Sequence, residues 1–332
     1  MLERVRERME EEGIKVLVVT EQFDFRYVFG LELSGYAFIT QDSVEMVLPR
    51  FYRYEDIEYS TEYVFSRQDR QKAFEGFNYS KIHMERPEKL EEEFQTEKTS
   101  LITDMRQKKT SEEVKKLEKA AEITDRAIES LRPQLVGMTE FEAVNEINRF
   151  YSEEGIQEAF LTDGGMSLVQ RNSLRPHRPP RKEEIREDDL VIVDTGARFE
   201  GYCGDLTRTF CKSPDKEQRR LFEAVREIQE ELIEMIEPGL KISDWKKREF
   251  ELVRQKGYDP EKHILYFGHS IGVEIHEPPT LSHTTEEEFR EGMVITVEPG
   301  LHVKDLGGVR IEDMVYVKQN GTEVLTKSPK TL

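Results

Sequence analysis

LVIVDTGARFEGYCGDLTRTF, residues 190–210, reads as a buried strand, a turn and a second strand, with one acid set into each strand. Strand side chains alternate between faces, so position decides which groups can meet. With RFEG (198–201) as the turn and its centre at Phe199–Glu200, Asp194 and Asp205 are expected to face each other directly. Directly opposed side chains have Cβ atoms about 4.5–5.5 Å apart. Two half-buried carboxylates that close are unfavourable unless something cationic lies between them.

The pattern recurs downstream. MVITVEPG (293–300) and GVRIEDMVYV (308–317) form a second strand pair, with Thr296 and Glu298 on one face and Arg310 and Glu312 on one face. The segments before the two hairpins also match. LRPQLVGMTEFEAVNEINRFYSEEG (131–155) resembles IEPGLKISDWKKREFELVRQKG (236–257). In each, a helix ends near a proline (Pro133, Pro238). A capping residue (Thr139, Ser243) then opens a second helix that stops at a glycine (Gly155, Gly257). A duplicated helix–helix–hairpin unit is predicted. Four acids at matching places of two hairpins point to a cation-binding centre. Between the repeats, FGHSIGVEIHEPP (267–279) supplies His269 and His276 beside glycines that permit close backbone approach. One imidazole and four carboxylates form a hard, oxygen-rich set. It suits a pair of Mn2+, Co2+, Fe2+ or Zn2+ ions better than one structural zinc, which prefers thiolates.

Ahead of these repeats, residues 2–12 read as a helix. Lys15–Thr20, Gly35–Thr40, Val44–Leu48, Tyr63–Ser66 and Lys81–Met84 read as strands, which gives a small α/β domain over residues 1–105. Ser100–Lys109 carries no strong pattern and is the place for a boundary. Ser111 then starts an amphipathic helix with Val114, Leu117, Ala121, Thr124 and Ile128 on one stripe, capped by Thr110 or Ser111. The second domain runs over 106–332.

At 332 residues the chain suits two domains. Its net charge of -19 argues against nucleic-acid or anionic-membrane partners, both of which need a basic face. The two cysteines, Cys203 and Cys211, offer no disulfide framework and fit a reducing compartment. The charged start MLERVRERMEEEG does not read as a signal peptide, no stretch approaches a membrane span, and the expected location is the cytoplasm. Cys203 and Trp245 read as packing residues.

At these motifs the sequence resembles the pita-bread metallopeptidases, and within them the Xaa-Pro peptidases, prolidase and aminopeptidase P. EEIREDDLVIVDTGARFEGYCGDLTRTF, GHSIGVEIHE, EGMVITVEPG and GGVRIEDMVYV carry the likeness. MRQKKTSEEVKKLEKAAEITDRAI is similar to the segment that opens the catalytic domain, and FDFRYVFG (23–30) to the creatinase-type N-terminal domain. The resemblance implies an α+β pita-bread domain with an internal pseudo-two-fold repeat, after a smaller α/β domain. It implies two divalent ions, Mn2+ or Co2+ before Zn2+ or Fe2+. Asp194 would bind one ion, Asp205 and Glu312 would bridge both, and His269 and Glu298 would complete the other ion's shell. His276 and His177 would be catalytic, meeting the substrate; Thr296 and Arg310 would support the ligands. Glu298 would also move a proton during cleavage of the bond between an N-terminal residue and proline. A homodimer is implied as well. VQRNSLRPH, Ser270 and Leu265 depart from the family pattern without removing a ligand. Alternatives are another amidohydrolase on the same fold, or a non-catalytic binding module, which would have lost the ligands kept here.

Overall fold

The structure, a computed structural model, describes residues 1–53, 57–160, 167–175, 178–261 and 268–332. The chain divides into two compact units, Met1–Arg106 and Gln107–Leu332.

In the first unit the order is α1 (Leu2–Glu11), β1 (Leu17–Val19), α2 (Gln22–Phe29), β2 (Tyr36–Ile39), β3 (Val44–Pro49), β4 (Ser60–Val64), α3 (Arg67–Glu75), β5 (Ile82–Met84) and β6 (Thr96–Lys98). The strands make one mixed sheet in the order β4-β3-β2-β1-β5-β6. Val16, Val18, Phe38, Val47, Phe74, Ile82, Met84 and Leu90 form a core on it. The strand expected at Tyr63–Ser66 runs over Ser60–Val64, ending two residues earlier because Ser66 instead caps α3 by accepting from the Asp69 backbone N–H. Helix α4 (Leu101–Gln107) occupies the stretch read as patternless.

The second unit opens with α5 (Ser111–Leu131). Thr110 caps it, its hydroxyl accepting from Glu113 N while Glu113 accepts from Thr110 N. Then come α6 (Glu140–Glu153), β7 (Gln157–Glu158), β8 (Leu168–Arg171), β9 (Val191–Thr195), β10 (Ala197–Phe199), β11 (Tyr202–Cys203) and β12 (Leu206–Phe210). They are followed by α7 (Lys216–Glu234), α8 (Ile242–Gln255), β13 (Gly268–Ser270), β14 (Glu277–Leu281), β15 (Val294–Val297), β16 (Gly300–Val303), β17 (Gly307–Arg310), β18 (Asp313–Lys318) and β19 (Gly321–Val324).

Each helix pair has its own core. Ile123, Ile128, Val144 and Ile147 of α5 and α6 pack with Val169, Val191, Val193 and Leu206 of the β12-β9-β8 sheet. Leu221, Val225, Ile228, Trp245 and Leu252 of α7 and α8 pack with Ile295, Val297, Val315 and Val317 of the β14-β13-β15-β18-β19 sheet. Trp245 is buried there, its indole N–H donating to Leu232 O at 2.8 Å and its ring edge-on to Phe289. Helices α6 and α8 both give way to a glycine at positive φ, Gly155 (66°) and Gly257 (87°). Thr139 caps α6 as expected. Ser243 does not cap α8: Lys241 holds that position and Ser243 lies buried in the first turn. The N–H groups of Ile242 and Ser243 donate to Glu287 O and Thr285 O, so no side-chain cap is needed there.

Candidate metal centre

Strands β9 and β12 pair Asp194 with Thr207, and β10 and β11 continue the same register with Phe199 opposite Tyr202. The turn is therefore centred at Glu200–Gly201, one residue later than the sequence reading put it. Both central residues take positive φ, 46° and 86°, as a two-residue turn matched to strand twist requires. Asp194 and Asp205 consequently do not face each other directly. They share a face diagonally, a separation of about 7–8 Å in a regular ladder. The position opposite Asp205 is Gly196, where a Cβ would overlap the Gly204 carbonyl oxygen.

In the second hairpin, β15 pairs Val297 with Asp313 and β16 pairs Gly300 with Arg310. One register spans the gap between them, so Glu298 stands opposite Glu312. The two hairpins join through Glu312 N, which donates to Thr207 O at 3.1 Å, and through Arg310 N and O, both bonded to the Thr209 hydroxyl.

Asp194, Asp205, His269, Glu298 and Glu312 are all buried. One ligand atom from each of Asp205, His269 and Glu312 lies within 4.8 Å of the others. His269 Nε2 is 3.5 Å from Asp205 Oδ2 and 3.5 Å from Glu298 Oε1. Burial, and then the neighbouring His276, push the His269 pKa down to about 3, so the ring is neutral. Its Nδ1 sits 3.1 Å from Ser270 O and donates to it, which leaves the Nε2 lone pair aimed at the carboxylates. A lone pair facing anionic oxygens is repulsive unless a cation lies between them, and this donor set fits a hard divalent ion.

The carboxylates feel the same frustration. Burial first, then Glu312 and Asp194, raise Asp205 well above the usual carboxylate range. Burial and Glu312 raise Glu298 likewise. Burial and Asp194 push Glu312 up to about 7. Arg310 Nη2 binds Asp194 Oδ2, so the arginine reaches from the second hairpin to the first. Thr296 donates to Glu298 Oε1 at 3.3 Å and accepts from His269 N at 3.1 Å. His276 stacks edge-on against His269 with ring centroids 4.5 Å apart.

Sequence reasoning missed Thr207. Its hydroxyl donates to Glu312 Oε2 at 2.7 Å and accepts from Arg310 Nε at 3.1 Å. The signal was its place two residues after Asp205, hence on the same strand face. Cys203 is buried and free of any disulfide. His177 and Leu265 lie outside the described residues.

Residues 115–319 match the model of metallopeptidase family M24, and the chain belongs to that family. It is 30% identical over 348 residues to the Xaa-Pro dipeptidase of Pyrococcus horikoshii, covering 100% of this chain and 98% of that protein. The fold is similar to the crystal structure of the prolidase from Pyrococcus horikoshii OT3, with a TM-score of 0.87, 29% identity and coverage of 99% and 98% of the two chains. It is also similar to the X-Pro aminopeptidase from Thermotoga maritima MSB8, with a TM-score of 0.90, 25% identity and coverage of 100% and 99%. No helix among the described residues is long and apolar enough to cross a membrane.

Proposed function

We propose that this protein is a metallopeptidase that cleaves the bond between an N-terminal residue and proline, with Asp194, Asp205, His269, Glu298 and Glu312 holding two divalent ions. The observation that carries the reading is the buried convergence of Asp205, His269 and Glu312, with Glu298 against the same imidazole nitrogen. Likeness over the whole chain to a prolidase and an X-Pro aminopeptidase supports the substrate class. It also supports taking residues 1–105 as a creatinase-type domain and 106–332 as a pita-bread domain with a two-fold repeat. The matching helix pairs, each with its own core and hairpin, support the repeat. Mn2+ or Co2+, a homodimer and a cytoplasmic location complete the proposal.

When bound, the ions supply Lewis acidity toward the scissile carbonyl and a nucleophilic water at neutral pH. The chain's own groups do the rest. Thr296 holds Glu298 Oε1, which leaves Oε2 to take a proton from the attacking water. Proline's amide nitrogen carries no hydrogen, so it leaves as an amine only after gaining one, and Glu298 delivers that proton. His276, and His177 by resemblance, donate to the oxygen that becomes negative as the carbonyl is attacked. Arg310 binds Asp194 Oδ2 and fixes its orientation.

The test compares turnover of a Xaa-Pro dipeptide, a Xaa-Pro-Xaa tripeptide and a Met-Ala peptide with added Mn2+ or Co2+. Proline substrates should be cleaved fastest. Faster release of methionine from Met-Ala, or full activity after exhaustive chelation with metal content checked, overturns the reading.

A further inference from the structure

His276 sits at the end of a six-residue loop, residues 271–276, between β13 and β14. The two strands meet at the base of this loop through the pair Ser270–Glu277, after a register shift between His269 and Ser270. An irregular loop at a strand bulge has few ladder bonds of its own to fix a side chain at its tip. Beyond the bond from Ile271 N to Val294 O at 3.1 Å, three contacts from other elements among the described residues help to hold the loop. Arg198 Nη1 donates to Val273 O at 3.0 Å. Cys203 N donates to Gly272 O at 2.8 Å. The third is at the base. Lys109 Nζ donates to Ser270 Oγ and to Glu277 Oε2, each at 3.1 Å.

The Lys109 contact differs in kind from the other two. Its ammonium and the Glu277 carboxylate are each about 1% exposed, so this is a fully buried ion pair. The lysine backbone is fixed as well, its N–H donating to Gly292 O at 2.8 Å, one residue before Thr110 caps α5. Ser270 passes the restraint on, donating from the same hydroxyl to Val294 O at 3.2 Å. Glu277 accepts from Glu274 N through its other oxygen at 3.3 Å, and its carboxylate fills the space where Gly272 would carry a Cβ. One buried cation therefore grips the residue after His269 and the residue after His276. It spans 161 and 168 residues of chain to do so. Buried ion pairs gain little stability over apolar packing, so their value lies in the geometry they specify.

We propose that Lys109 is a positioning residue for His276: by tying Ser270 to Glu277 it fixes the His276 ring against His269 in the orientation that meets the substrate. This rests on the reading of His276 as a group that touches the scissile bond. Lys109 touches neither substrate nor ions, and it acts on turnover through His276.

The test is a double-mutant cycle on metal-loaded protein with a Xaa-Pro dipeptide. Lys109→Met should lower kcat about 10- to 100-fold, the size expected when a reacting group is displaced by about 1 Å. KM and calorimetric metal affinity should stay within about twofold, since uniform binding is untouched. In a His276→Ala background the same substitution should change kcat less than about twofold, because its target is gone. Equal losses of kcat in both backgrounds, or a fall in metal affinity that matches the fall in kcat, overturn the proposal. Where Lys109→Met fails to fold because the Glu277 carboxylate loses its buried cation, Lys109→Met with Glu277→Gln removes both charges, and the cycle is run on that pair with the same expectations. If His276→Ala alone leaves kcat unchanged, the reading of His276 fails, and the proposal falls with it. If His276→Ala slows turnover but shows no coupling to Lys109, the proposal alone fails.

Discussion

The two acid-bearing hairpins place their carboxylates on the site floor by different geometries. In β9–β12 the aspartates stand diagonally, with Gly196 opposite Asp205. In β15–β18 the glutamates stand directly opposite each other. The extra methylene of glutamate lets opposed side chains splay toward different targets, Glu298 to Thr296 and Glu312 to Thr207. Aspartate lacks that reach and depends on the backbone offset to separate its charges. Compensation is unequal too: Asp194 binds the Arg310 guanidinium directly, whereas Asp205 lies among three other acids and a neutral imidazole and feels Arg310 only as a lesser influence. A matching position in the two hairpins is therefore not the same as an equal electrostatic role.

The largest expected effect is at the less compensated aspartate, Asp205. Asp205→Asn should abolish turnover. Groups that merely orient ligands are already worth about 10–100-fold, and Asp205 is proposed as a ligand itself. The fold should survive, since one of several crowded buried charges is removed; circular dichroism and a peptidase assay check both halves. Wild-type turnover would mean that the first hairpin has been misread.

Next comes the compensated one. Arg310→Met removes the guanidinium bound to the buried Asp194 carboxylate, and should cost about 3–5 kcal/mol in urea unfolding of chelated protein. Adding Asp194→Asn should recover most of that loss. A cost under about 1 kcal/mol for Arg310→Met alone would erase the contrast drawn between the aspartates.

A smaller effect tests the crowding by pH. In ion-free protein the raised pKa values of Asp205, Glu298 and Glu312 mean that the folded state holds protons the unfolded chain has released. Stability should fall as pH rises from the ordinary carboxylate range toward about 7, where Glu312 titrates. Cations need ionised carboxylates, so binding at pH 6 should release about one proton or more, and affinity should climb with pH. His269 contributes none, being neutral already. Binding heats that are identical in buffers of different ionisation enthalpy would contradict this.

The smallest effect separates the turns. Glu200 and Asp305 both take positive φ, 46° and 66°. Aspartate tolerates that region better than glutamate. Glu200→Asn should therefore stabilise by about 0.5 kcal/mol, near the low end for relieved backbone strain, while Asp305→Asn changes little. Thermal melts of the two variants decide it, and an equal gain in both would remove this difference between the hairpins.

Much of this molecule was legible from local patterns. The strands around Asp194 and Glu298, the glycine stops at Gly155 and Gly257 and the Thr110 and Thr139 caps all follow from periodicity and turn chemistry. The register error at the first turn arose because the reading weighted the span RFEG evenly, whereas Gly201 marks a central position of the turn. Ser243 looked like a cap because the carbonyls that satisfy its helix come from residues 285–287, more than forty residues further along. Lys109 gave no signal for the same reason, since its partners lie 161 and 168 residues further along the chain.

The pairing of Arg310 with Asp194 also bears on how the chain is made. The partners are 116 residues apart. During synthesis the first hairpin leaves the ribosome long before its arginine, its glutamates or His269 exist. Of the proposed ligands, a half-made chain thus carries only the two aspartates. Under the proposed ligand assignment the complete set cannot form until the second hairpin has been made and has docked on the first, so selective loading follows that docking.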